Sequence, residues 1–218
     1  MRNVVVKDAT AAVAGLKDGH TVMIGGFGNA GLPLATLRAI VETGVRDLTL
    51  ISNNAGTVED DLTLLFRARM VRKIICSYPR GAKAFTDQYR KGEVELELVP
   101  QGTFIERIRA GGAGLGGFLS PVGLGTDFET GKEKITAGGR EYILELPLRA
   151  DFTFVKGKLA DTVGNVTYNM TARNHCPAMA TAAETTVVEV DRIVEAGALD
   201  PESIVTPCIF VDRVFARA

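Results

Sequence analysis

The first half of the chain repeats one unit: a short apolar run of strand length, then a longer stretch with apolar residues on one helical face. Thr21-Val22-Met23-Ile24, Leu48-Thr49-Leu50-Ile51, Lys73 to Ser77 and Val94 to Val99 are the short runs. Leu34 to Val41, Glu59 to Arg69, Ala84 to Arg90 and Phe104 to Arg109 are the helical stretches that follow them. Strands this short and this apolar are buried on both faces, and strands joined through helices run parallel. The fold class expected is α/β: a mostly parallel open sheet with helices on both faces. Asp8 is placed to cap an opening helix carrying Ala12, Val13 and Leu16, with Gly19 beyond its end. Pro33 falls where a first helical turn tolerates it.

After Arg109 the alternation breaks. Ala110 to Thr126 has no charge and seven glycines, which reads as an irregular loop. A plain surface loop and a loop serving a site both fit that composition. Further on, Tyr142 to Leu146, Phe152 to Lys156, Val166 to Tyr168, Val187 to Val190 and Ile209 to Val214 read as strands. Gly138-Gly139 and Gly164-Asn165 read as turns, and Ala172 to Ala183 as a helix started or kinked by Pro177. There is no internal repeat and no low-complexity linker, so residues 1–218 are expected to form a single domain.

Composition removes several classes of function. The chain has 25 basic and 26 acidic side chains and no Lys/Arg run, so no nucleic-acid partner is expected. No apolar stretch reaches the roughly 18 residues of a membrane span, and Val4-Val5-Val6 is too short for a signal-peptide core. A soluble, intracellular and specifically cytoplasmic protein without a membrane partner is expected. Cys76, Cys176 and Cys208 are odd in number and lack a C-x-x-C spacing, and His20 and His175 are the only histidines. Neither a disulfide framework nor a metal site is expected.

The densest chemical signal is Gly25-Gly26-Phe27-Gly28-Asn29-Ala30-Gly31-Leu32-Pro33, between a strand and a helix. Gly26, Gly28 and Gly31 satisfy the G-x-G-x-x-G spacing of dinucleotide sites, which makes a nicotinamide oxidoreductase one reading. That reading needs a carboxylate at the end of the second strand to hold a ribose. Ser52-Asn53-Asn54 stands there instead, Asp47 lies at the wrong end, and Pro33 lacks an N–H.

With its flanks, the same stretch resembles the first signature of family I CoA-transferases. The matching residues are Asp18-Gly19, Val22-Met23-Ile24, Gly25-Gly26-Phe27, Gly31 and Pro33. Ile51-Ser52-Asn53-Asn54-Ala55-Gly56 and Val99-Pro100-Gln101-Gly102-Thr103, running into Glu106-Arg107-Ile108-Arg109-Ala110, resemble further segments of that family. The likeness runs over the whole chain and is to the A-type (alpha) subunit, above all in 3-oxoacid and 3-oxoadipate enzymes that use succinyl-CoA.

This resemblance implies an enzyme that moves CoA between carboxylic acids through a glutamyl-CoA thioester, with coenzyme A as substrate and no tightly bound cofactor. It implies that Asn53 and Gln101 stabilise thioester-derived oxyanions, work that suits neutral amides because they donate without losing a proton. It implies substrate or CoA binding at Gly25, Gly26, Phe27, Gly28, Asn29, Gly31, Asn54 and Gly102. The family's nucleophile lies in a Ser-Glu-Asn-Gly type motif of the B-type (beta) subunit, and this chain has no Glu-Asn-Gly. Glu59 and Glu106 read instead as helix-surface residues. A separate B-type CoA-transferase subunit is therefore implied as partner, in an A2B2 heterotetramer. A small-molecule sensing module is the remaining alternative, weakened by the lack of an adjoining DNA-binding segment. His175-Cys176 reads as packing, and Lys156 and Lys158 as a solvated strand end.

Overall fold

A computed structural model describes residues 2–217. An opening turn of helix, α1 (Ala9–Ala12), is capped by the Asp8 carboxylate, which accepts from the Ala11 N–H. Then follow β1 (Thr21–Ile24), α2 (Leu34–Thr43), β2 (Leu48–Ile51), α3 (Thr63–Arg67), β3 (Val71–Cys76), α4 (Lys83–Arg90), β4 (Glu95–Leu98) and α5 (Gln101–Gly112). The second half contributes β5 (Phe118–Ser120), β6 (Lys134–Ala137), β7 (Arg140–Glu145), β8 (Ala150–Lys156), β9 (Leu159–Asp161), β10 (Val166–Thr167), α6 (Cys176–Ala180), β11 (Ala183–Val190), β12 (Arg192–Val194) and β13 (Arg213–Ala216).

Seven strands form one sheet in the order β13-β11-β8-β1-β2-β3-β4, every pair parallel. Strand alternation divides the core in two. Val22, Ile24, Leu50, Ile74 and Phe154 face a cluster closed by the helices from α1 to α4. Met23, Ile51, Ile75 and Val155 face a second cluster with Phe104 and Ile108 of α5 and Met179 of α6. Both faces are covered at the centre of the sheet, where β1 reads as a nearly unbroken apolar run, whereas the edge strand β4 alternates Glu95-Leu96-Glu97-Leu98 and is partly exposed. Two small sheets flank the main one, β5-β7-β6 and β10-β9-β12.

Several local expectations are corrected. The helix expected over Glu59 to Arg69 shrinks to Thr63–Arg67, because the Asp61 carboxylate captures the backbone ahead of it. Asp61 accepts from the N–H groups of Thr57, Val58 and Thr63 and from the Thr63 hydroxyl. Burial alone would raise its pKa. The Thr63 hydroxyl and the backbone N–H groups of Thr57, Thr63 and Val58 outweigh it and hold the carboxyl below the usual range.

The supposed glycine-rich loop from Ala110 begins as helix and contains β5. Gly111 and Gly112 end α5, where a Cβ on the first would overlap the Leu148 carbonyl and one on the second the Thr181 hydroxyl. These two glycines serve close packing inside an element. Ala172 to Ala183 divides into a 3-10 turn (Met170–Arg173), the short α6 and the start of β11. Ile209 to Val214 divides likewise, into a turn and β13. The strands β6, β9 and β12 had no sequence counterpart.

Candidate active site

β1 pairs with β2 on one side and β8 on the other, so the chain order reverses beside β1. In open parallel sheets, ligands bind beyond the strand C-termini at such a reversal. Gly25 to Gly31 leaves β1 at this edge, Ser52 to Asn54 leaves β2, Ser77-Tyr78 leaves β3, and Val99 to Gln101 leaves β4. A cleft of about 450 Å³ opens among them, lined by Phe27, Gly28, Asn53, Asn54, Thr57, Ser77, Tyr78 and Gln101.

The glycine loop is a tight hairpin. Phe27 and Ala30 exchange backbone hydrogen bonds of 3.0 and 3.1 Å, and Gly28 turns the tip at φ +57°. The Phe27 ring is held out at the cleft, 54% exposed. Asn29 accepts from the Thr57 hydroxyl at 3.0 Å, tying the tip to the next loop. Gly31 at φ +76° lies against the Ala172 carbonyl, and a Cβ on Gly25 would come within 2.6 Å of the Cys176 sulfur. Gly25, Gly26 and Gly31 thus shape the hairpin, and Phe27 and Gly28 line the cleft. Gly102 lies in the first turn of α5 with open space before it, outside the set of cleft-lining residues.

Asn53 and Gln101 are brought together. The buried Asn53 donates from Nδ2 to Gln101 Oε1 at 2.7 Å. The backbone carbonyl of Asn53 accepts from Ser77 and Tyr78, and the Asn54 side chain accepts from the Gly56 N–H at 2.7 Å. These contacts fix the turn beyond β2. Gln101, expected on a loop, begins α5 behind Pro100, so the positive end of a twelve-residue helix points to this edge.

Sequence reasoning missed five residues here, two of them on the turn ahead of α6. Asn174 accepts from the Gly26 N–H at 3.3 Å and the His175 N–H at 2.7 Å, and donates to the Ala30 carbonyl at 3.0 Å. It fastens the hairpin to the turn ahead of α6. His175, read as packing, has its Nε2 2.9 Å from Gln101 Nε2. Burial lowers its pKa, and the nearby Gly26 backbone offsets part of that. Cys176 does pack: its thiol lies beneath Gly25, pushed up to about 12 by burial. Thr57, Ser77 and Tyr78 were missed too, although Ser77 and Tyr78 follow a strand end at the same edge.

Three charged groups singled out in the sequence are engaged with neighbours. Glu59 pairs with Arg67 at 2.9 Å, Glu106 with Arg109 at 3.1 Å and Lys156 with Asp191 at 3.3 Å. A separate cavity of about 350 Å³ beside β4 and β7 is lined by Glu97, Arg107, Lys132 and Glu145. There Arg107 meets Glu97 at 2.8 Å and Lys132 meets Glu145 at 2.6 Å. These four charges pair with one another, and Glu133 also lines the cavity.

Neutral amides from the ends of β2 and β4 meet at the C-terminal edge of a parallel α/β sheet. Comparison with known proteins identifies the family. The family model for coenzyme A transferase matches residues 6–217. The A-type subunit of 3-oxoadipate CoA-transferase from Pseudomonas putida is 50% identical over 99% of this chain and 94% of its own length. The alpha subunit of acetate CoA-transferase from Escherichia coli K12 is 45% identical over 96% of this chain and 94% of its own. Among solved structures, an acyl-CoA transferase from Escherichia coli O157:H7, crystallised as a thioester complex with CoA, superposes with a TM-score of 0.88 at 20% identity. The match covers 99% of this chain and 47% of that one, so this chain spans about half of it. The chain belongs to the coenzyme A transferase family, among its A-type subunits.

Proposed function

We propose that this chain, as one structural unit over 1–218, is the A-type subunit of a two-chain enzyme that moves CoA from succinyl-CoA to a 3-oxo acid, acetoacetate or 3-oxoadipate. A glutamate, supplied by the B-type subunit, attacks the thioester carbonyl, giving an acyl–glutamyl anhydride and CoA thiolate. The thiolate attacks the glutamyl carbonyl, releasing succinate and leaving a glutamyl-CoA thioester. The acceptor carboxylate reverses these two steps and regenerates the glutamate. Each attack passes through a tetrahedral oxyanion, and Asn53 and Gln101 supply N–H donors to it. Phe27, Gly28 and Asn54 shape the acyl cleft, Gly25, Gly26, Asn29 and Gly31 hold its hairpin wall, and Gly102 leaves room for CoA at the start of α5. The complex is A2B2.

The observation that carries this reading is the Asn53–Gln101 pair at 2.7 Å, two neutral amides from different strand ends meeting in one cleft. A cationic donor there would pair with the glutamate and blunt it. The 3-oxoadipate relative supports the acceptor class.

The test is reconstitution with a partner chain carrying the Ser-Glu-Asn-Gly motif, followed by assay of succinyl-CoA against acetoacetate, 3-oxoadipate and acetate. Transfer to a 3-oxo acid is expected only from the pair. Gln101→Ala or Asn53→Ala is expected to lower kcat on the order of 100-fold. Full activity of the chain alone, acetate as the preferred acceptor, or wild-type turnover of both variants would each overturn the corresponding part.

A further inference from the structure

We infer that His175 is a positioning residue for Gln101: its imidazole fixes which edge of the Gln101 amide is offered to the cleft. This rests on the proposed donor role of Gln101. Because Gln101 Oε1 accepts from Asn53, the atom facing the imidazole is the amide nitrogen, which can only donate. His175 Nε2 must then accept, and the proton of the neutral ring sits on Nδ1. That atom is buried and has no hydrogen-bond partner among the described residues. A buried unpaired N–H is a cost, and the geometry accepts it to keep Nε2 as an acceptor. The ring cannot readily turn away. It lies 5.8 Å from the Phe27 ring and 5.9 Å from Phe104, edge-on to the latter. Burial also disfavours the charged imidazolium, which would present a second N–H to the Gln101 amide.

Gln101 is thus gripped from both sides, its oxygen by Asn53 and one amide proton by His175. The second amide proton is left for an oxyanion in the cleft. An amide free to rotate would present its oxygen part of the time and repel the same oxyanion. His175 touches no reacting atom. Its action on the oxyanion runs through Gln101, while its ring packs against Phe27 and Phe104.

Two measurements on the wild-type and variant proteins test this. In the full chain labelled with nitrogen-15, the Gln101 side-chain amide resonance, identified by its loss in Gln101→Ala, is expected to shift in His175→Phe. It should return towards its wild-type position in His175→Gln, which restores an acceptor near Nε2. In the reconstituted complex, His175→Phe is expected to lower kcat about three- to tenfold with KM little changed, the size of one neutral hydrogen bond. His175→Gln should recover most of that loss. In the Gln101→Ala background the same His175→Phe change should cost nothing further. An unmoved Gln101 resonance, or an equal fold-loss in both backgrounds, overturns the inference. Wild-type turnover of Gln101→Ala would instead overturn the donor role itself, and the resonance would still decide whether His175 holds the amide.

Discussion

Alanine at Gly112 and alanine at Gly102 sit in the same twelve-residue helix, α5, yet the structure assigns them opposite signs. A Cβ on Gly112 would overlap the Thr181 hydroxyl and stand 2.8 Å from the Thr181 Cβ, with backbone close behind. Rotating Thr181 removes only the hydroxyl conflict, and its hydroxyl already donates to the Ala178 carbonyl at 2.8 Å. Forced overpacking of this kind costs about 1–3 kcal/mol. The helix-propensity gain of alanine over glycine, up to about 1 kcal/mol, is small at the last residue of a helix. Gly112→Ala is therefore expected to be destabilising by about 1–3 kcal/mol, lowering Tm by about 2–12 °C in a chain of this size. At Gly102 nothing lies within 4 Å of the added carbon. Gly102→Ala should be neutral or stabilising by up to about 1 kcal/mol. Scanning calorimetry on both variants and the wild type reads the difference directly. A Gly112→Ala protein as stable as Gly102→Ala would refute the claim that the end of α5 is set by close packing.

Replacing Asp61 by Asn puts an amide NH2 or a weaker acceptor before four donors, and about 2–4 kcal/mol should be lost in urea unfolding at neutral pH. Because the folded pKa of Asp61 is depressed, its contribution is full above the unfolded carboxylate value and is lost as pH falls through the folded one. The wild-type stability curve should therefore drop more steeply in that acid window than the curve of Asp61→Asn. Phe104 is fully buried between the sheet and His175, so Phe104→Ala should cost about 3–5 kcal/mol in the same assay. Burial raises Cys76 and Cys176 to about 12, so iodoacetamide at neutral pH should label the partly exposed Cys208 first, with the other two reacting only on unfolding.

Much of the architecture was legible in the sequence for a local reason. A strand buried on both faces is mostly apolar at successive positions, and a parallel neighbour needs a helical crossover. The runs at Thr21–Ile24 and Leu48–Ile51 therefore announced themselves with their bounds intact. Asn53 and Gln101 were singled out by the resemblance to CoA-transferase signatures; the alternation adds that residues just past the ends of parallel strands share one edge, whatever lies between them in the chain. The alternation could not show where a side chain captures the backbone. Asp61 ended a helix that periodicity extended through it, because several hydrogen bonds to one carboxylate outweigh a helical preference.

The sequence alone determined the α/β class and the strand edge on which the neutral amides stand. Tertiary structure alone decided that Gly111 and Gly112 lie inside a helix, since only the positions of Leu148 and Thr181 forbid a side chain there. It also decided that His175, 74 residues beyond Gln101, reaches the Gln101 amide while its neighbour Cys176 turns under the glycine hairpin. Periodicity reports which face of an element is apolar, because burial acts on each residue in turn. Contact between a helix start and a turn far along the chain depends on how the two pack against the sheet, and no local pattern carries that.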